Sequence, residues 1–146
     1  MTGMAPVTPA ERFEIQLQVQ AADIDELGHV NNVVYLRWVQ DAAVAHWRSG
    51  TTPQEQSEVA WVVLRHEIDY KRPARLGETI VARTWVGSAT ELAFERFTEI
   101  ETKSDRRLLA TAKTIWCPIA PRTGRPMRIS DDLRMRYSTG RREATS

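Results

Sequence analysis

The stretch Asp23-Ile24-Asp25-Glu26-Leu27-Gly28-His29-Val30-Asn31-Asn32 gathers three acids, a histidine and two asparagines. A carboxylate can accept a proton or attack a carbonyl carbon, and an imidazole can orient either reactant. Amide groups can donate to an oxygen that gains negative charge. Part of the cluster has a purely structural explanation: Asp23 or Asp25 can cap a turn, Asn31 or Asn32 can cap a helix, and Gly28 can supply a tight bend. That explanation uses some of these residues and leaves the others without a role, so the segment is the chain's first candidate for chemistry.

Two elements must position it. Residues 13–20, FEIQLQVQ, alternate without a fault, placing Phe13, Ile15, Leu17 and Val19 on one face of a strand. In residues 31–48 the polar side chains Arg37, Gln40, Asp41 and Arg48 fall into one stripe at helical spacing. The pattern predicts a helix packed on most of its circumference, with Val33, Leu36, Trp38, Val39, Ala42, Ala43 and Trp47 buried. A loop that feeds a helix N-terminus brings free backbone amides beside its own carboxylates.

Gly50 and Pro53 close the helix, and SGTTPQEQSE reads as a polar loop. Strands are expected at about 59–71, 78–87, 91–103 and 106–119, separated by RPARLG, GSAT and KSDR, with the last three short enough in connection to form an antiparallel meander. A short helix at 130–137 would start at Ser130 with Asp131 and Asp132 in its first turn, and the closing STGRREATS looks frayed. The architecture is therefore α+β: a five-stranded antiparallel sheet curled around one long central helix, in a single domain over 1–146 with its core at roughly 12–137.

Composition narrows the partners. The 146 residues are 42% hydrophobic and 27% charged, with a formal net charge of +1. This is an ordinary globular balance with no overall electrostatic case for nucleic acid or membrane. No basic segment followed by an apolar core opens the chain, and a lone Cys117 excludes an internal disulfide or a cysteine-rich zinc site, so a cytoplasmic protein is expected.

DIDELGHVNNVVYLRWVQDA resembles the D-x-D-x-x-G-H-V-N-N-x-x-Y segment of the 4-hydroxybenzoyl-CoA thioesterase-like branch of hotdog-fold proteins, and HEIDYKRPARLGE is similar to that branch's Y-x-x-P-x-x-x-G-D stretch. The resemblance implies an acyl-CoA thioesterase of the hotdog fold that needs no cofactor or metal. Asp25 would be the catalytic carboxylate, acting as general base or nucleophile. The amide at Asn32 would polarise the thioester carbonyl and His29 would assist, with Asn31, Tyr35 and Arg72 contacting substrate. It further implies a homodimer or homotetramer whose sites form between subunits, and a CoA or acyl-carrier-protein thioester as substrate. Leu27 stands where plant acyl-carrier-protein thioesterases carry an asparagine. Asp25-Glu26-Leu27-Gly28 stands where the 4-hydroxybenzoyl-CoA enzymes have D-P-A-G, so preference for that aromatic substrate is not expected. Chemically the spare site suffices: a thiolate leaves readily because a thiol pKa is near 8.5, and no Ser-His-Asp set is required.

The alternatives are a non-catalytic acyl-thioester-binding hotdog protein, an acyl-carrier-protein thioesterase, and a hotdog dehydratase, for which no H-x-x-x-G-x-P stretch exists. His46 and His66 read as structural, without metal-ligand spacing. Trp38, Trp47, Trp61, Trp85 and Trp116 read as core or interface residues, with an apolar tunnel as the other reading. Lys71, Arg72 and Arg75, or Arg122, Arg125, Arg128, Arg134 and Arg136, either meet phosphates or form solvated surface. Cys117, in IWCPI, reads as a small buried hydrophobe.

Overall fold

In the computed structural model, which describes residues 12–137, the first alternating segment forms β1 (Phe13–Gln18), its apolar side chains turned inward. A single 3-10 turn at Ala21–Asp23 leads to α1 (Asn32–Ser49) and a short α2 (Pro53–Glu58). Then follow β2 (Ala60–Tyr70), β3 (Thr79–Ala89), β4 (Phe94–Thr102), β5 (Leu108–Ile119) and α3 (Asp131–Arg136). The strands form one five-stranded antiparallel sheet in the order β1-β3-β4-β5-β2. Since α1 links strands at opposite edges, it must cross the sheet, and its apolar stripe lies on the curled inner face. This is the expected hotdog architecture. The tail STGRREATS falls outside the described residues.

The helix caps follow the sequence. The Asn31 side chain accepts from the Val33 amide at the start of α1, and Ser130 does the same for Leu133 at α3. The packing of α1 needs a correction. Val34, Tyr35, Trp38, Val39, Ala42, Ala43 and His46 are its buried residues, a one-sided stripe rather than most of the circumference. Val33 is 66% exposed and Val44 40% exposed, while Leu36 and Trp47 are only half-buried. A single sheet layer covers one side of a helix, so apolar positions on the far side stay uncovered within the chain. A second correction is α2. SGTTPQEQSE is not all loop, because Thr52 and Glu55 make a reciprocal capping box with Pro53 at the first helical position. Arg136 of α3 then pins Glu55 at 2.6 Å.

Beneath α1 the sheet carries buried hydroxyls among its aliphatic residues: Thr84, Thr98 and Thr114 are at most 1% exposed. Arg96 donates to the Thr84 hydroxyl at 3.1 Å and to His46 Nδ1 at 3.0 Å. His46 also stacks on Phe13 and meets Tyr137 edge-on. Burial, and secondarily the Arg96 charge, push the His46 pKa down to about 4, so the ring is neutral at pH 7, with Nδ1 accepting and the proton on Nε2. An unfolded chain would protonate this histidine near pH 6.5. Between about pH 6.5 and 4 the unfolded state therefore binds more protons, and stability is full above that window and falls as pH drops through it. Allowing for partial solvent screening, the loss is roughly 2 kcal/mol. Urea unfolding at pH 7 and pH 4.5 should register it, and His46→Asn should remove most of that slope.

Candidate functional site

The loop between β1 and α1 is held closed. Ile24 and Val30 form an antiparallel bridge, the Asp25 amide donates to the His29 carbonyl at 2.8 Å, and the Gly28 amide to the Asp25 carbonyl at 3.1 Å. Gly28 sits at φ 79°, a left-handed conformation that costs a residue with a Cβ roughly 1–2 kcal/mol. Asp25 is half-buried at the mouth, and its Oδ1 accepts from the amides of Leu27 at 2.9 Å and His29 at 3.3 Å. These bonds fix the rotamer and leave Oδ2 without a protein donor among the described residues.

Asp23 behaves differently. It is 4% exposed, accepts from the Gln20 amide at 2.9 Å and pairs with Arg37 at 3.0 Å, while its carbonyl receives the Asn31 amide at 2.8 Å. It ties the end of β1 to the start of α1 and has no free oxygen to offer. Of the amides that follow, Val30 donates to the Ala74 carbonyl, Val33 to the Asn31 side chain and Val34 to the Asn31 carbonyl. The Asn32 amide, at the first helical position, has no acceptor among the described residues, as expected of an unspent helix N-terminal donor.

Asp25, His29, Asn31, Asn32, Tyr35 and Arg72 all line one open groove of about 850 Å³ including space open to solvent, whereas Asp23, Arg75 and the basic residues after Pro121 do not line it. The lining residues do not share one kind of position. Tyr35 is 2% exposed, and its hydroxyl accepts from the Ala74 amide at 2.9 Å. It is the floor of the groove and holds the Ala74 backbone. Asn31 spends its side-chain oxygen on the cap. Arg72 and Lys71 are exposed on the opposite wall, their amides anchored to the Leu109 carbonyl. Their side chains have no carboxylate partner among the described residues, so this wall is electropositive.

Tyr70 and Leu27 also line the groove, and neither is among the site residues that the sequence indicates. Tyr70 reaches the Asn32 carbonyl through its hydroxyl at 3.2 Å, and its place in HEIDYKRPARLGE was the available signal. The second basic stretch is mostly spent: Arg128 pairs with Glu91, Arg134 donates to the Thr90 carbonyl and Arg136 binds Glu55 and Asp132. Cys117 is buried. His66, with Thr114 beside its Nδ1 at 3.0 Å, lies in β2 away from the loop. Among the described residues no group of His, Cys, Asp or Glu side chains is arranged to hold a metal ion.

A long helix cradled by five antiparallel strands, with a carboxylate-bearing loop at its N-terminus, is the hotdog architecture. The chain belongs to the thioesterase-like superfamily, whose family model matches residues 19–136. It is similar to a chloroplastic acyl-(acyl-carrier-protein) hydrolase of Cuphea viscosissima, 24% identical over 79% of this chain but spanning only 28% of that protein's length. Among solved structures it superposes on the 1,4-dihydroxy-2-naphthoyl-CoA thioesterase of Synechocystis with a TM-score of 0.75, at 22% identity, covering 86% of this chain and 94% of that one. The 12:0-acyl-carrier-protein thioesterase of Umbellularia californica matches with a TM-score of 0.71 at 19% identity, over 85% of this chain and 48% of that one. At these identities the structural likeness is one of fold.

Proposed function

We propose that the protein hydrolyses acyl-CoA thioesters, with Asp25 as the catalytic carboxylate and the Asn32 amide as oxyanion donor. The observation that carries this reading is the shared groove: an Asp25 oxygen without a protein donor, an unspent helix N-terminal amide and the cationic Lys71 and Arg72 all face the same space. In the general-base route Asp25 takes a proton from water, the hydroxide adds to the carbonyl carbon, and the oxyanion is held by the Asn32 N–H. The C–S bond then breaks, and the thiolate leaves and takes up the proton. In the nucleophilic route the Asp25 carboxylate attacks the carbonyl carbon, the C–S bond breaks with loss of the thiolate, and water then adds to the Asp25 carbonyl of the anhydride and frees the acid. Label found in the Asp25 carboxylate after a single turnover in ¹⁸O-labelled water identifies the nucleophilic route, because the general-base route puts solvent oxygen only into the product. His29, its amide bound to Asp25, orients the loop, and Lys71 and Arg72 suit the phosphates of CoA. A hydrolysis screen across acetyl, medium-chain, long-chain and aromatic acyl-CoA thioesters, read by thiol release, tests the proposal. No release from any of them would overturn it in favour of the acyl-carrier-protein or binding-only alternatives.

The working unit of this proposal is a cytoplasmic homodimer or homotetramer. β2 is an edge strand, and Leu64 at its bulge is 60% exposed, with Val62 38% and Tyr70 41% exposed along it and Val33 66% exposed on α1. An unpaired edge beside apolar side chains favours a twofold partner, which would also place a second chain against the groove. Sedimentation should give at least a dimer at micromolar protein; a monomer alone would rule out a site shared between subunits.

A further inference from the structure

At the far end of α1 from Asp25 lies a second cavity, lined by Ala43, Val44, Trp47, Trp61, Phe94 and Arg96 among others, that opens to solvent, the space at its walls and mouth together amounting to about 560 Å³. It shares no lining residue with the Asp25 groove. Between them α1 packs Trp38, Val39 and Ala42, each at most 1% exposed. The run from Asn32 to Ala43 amounts to about 16 Å of helix. The two spaces are thus separate within one chain.

The walls are aromatic and aliphatic, but their polar groups are almost all donors. Arg96 is 8% exposed and forms no ion pair with a carboxylate among the described residues. Its known acceptors, His46 Nδ1 and the Thr84 hydroxyl, are both neutral and both bind Nη1. The indole N–H groups of Trp61 and of Trp116, a further lining residue, are buried without an acceptor among the described residues. The one carboxylate in the lining, Glu95, is already engaged by Lys113 at 3.1 Å and by the Ser88 amide at 3.2 Å. Burial lowers the Arg96 pKa only to about 10, so the guanidinium stays charged at neutral pH. A buried cation held only by neutral acceptors is costly, and an anionic ligand would relieve it.

We infer that this cavity is a binding site for an apolar monocarboxylate, its hydrocarbon among Trp47, Trp61 and Phe94 and its carboxylate on Arg96. A fully anionic ligand would lack the apolar contacts, and a neutral one would leave Arg96 uncompensated. Val44, 40% exposed, stands at the rim. Occupancy requires no turnover at Asp25, so the site stands apart from the hydrolase reading.

Calorimetric titration of the wild-type protein with decanoate and with decanol at pH 7.5 tests the inference. Decanoate should bind at least about tenfold tighter than decanol, the discrimination expected of a charge-assisted bond to a buried guanidinium. Arg96→Met, shown folded by its thermal transition, should bring the two affinities to near equality. Val44→Trp, a change at the partly exposed rim, should block the mouth and weaken both probes, and it decides the case if Arg96→Met does not fold. Equal affinities in the wild type, no binding of either probe, a preference that survives Arg96→Met, or binding unaffected by Val44→Trp would each overturn the assignment; the last would place the carboxylate at Lys71 and Arg72 instead.

Discussion

Asp25→Asn should lower kcat by about 100- to 10,000-fold on any acyl-CoA that the wild type hydrolyses, the usual worth of general-base help. The substitution keeps the shape of the side chain and the acceptor that the Leu27 and His29 amides require, so the loop should hold its form. It removes the negative charge and the free oxygen that takes the proton or attacks. KM should change little, because substrate phosphates would sit on Lys71 and Arg72. Asp23→Asn makes the same chemical change two positions away in sequence, but its consequences differ. It weakens a buried acceptor for Arg37 and the Gln20 amide, so the expected result is a lower unfolding midpoint with kcat largely preserved. Steady-state kinetics and thermal melts on both variants separate the roles. If both keep wild-type kcat, or if Asp23→Asn alone is inactive while folded, Asp25 is not the catalytic carboxylate.

Trp38→Ala should cost about 3–5 kcal/mol of stability, the range for truncating a large buried aromatic where the surroundings collapse only in part. Trp38 is 1% exposed at the centre of α1 and packs edge-on against Tyr35 at 5.1 Å between ring centroids. Tyr35 in turn holds the Ala74 amide, so the void opens directly beneath the wall that carries Arg72. With domain stabilities of about 5–15 kcal/mol in total, the variant should be marginally folded at room temperature. Urea unfolding should show a lower midpoint with little change in slope. A loss below about 1 kcal/mol would mean that the core at Trp38 repacks freely.

What could be read from the sequence was whatever obeys a local rule. β1 follows from strict alternation, the start of α1 from Asn31, the start of α3 from Ser130, and the meander from short turn-rich connections. The loop chemistry was legible for the same reason, since Asp25, His29 and Asn32 are near neighbours in the chain. The capping box of α2 is equally local, but proline and threonine also signal a loop. Val33 failed for a different reason: apolar periodicity tells which residues share a face, but not how much of the helix one sheet layer can cover. Arg96 was invisible because a charged residue in an alternating strand reads as solvent-facing. Only the fold reveals that β4 turns this position inward, beside a histidine that lies fifty positions away.

The strand order also dictates when each part of the protein can form during synthesis. β1 pairs with β3, so Gln18 must wait for Thr79, and β2 must wait for β5, with Ala60 opposite Ile119. A ribosome delivers α1 well before β3, the later of the two strands that pack on it, leaving part of the stripe around Trp38 and Val39 uncovered while residues 50–78 are still being made. The β3-β4-β5 meander, built from neighbouring strands with little loop entropy to overcome, is the first sheet that can close. The N-terminal half therefore keeps apolar surface exposed until the meander closes, and destabilising changes in the meander should lower soluble yield more than equal changes at β1.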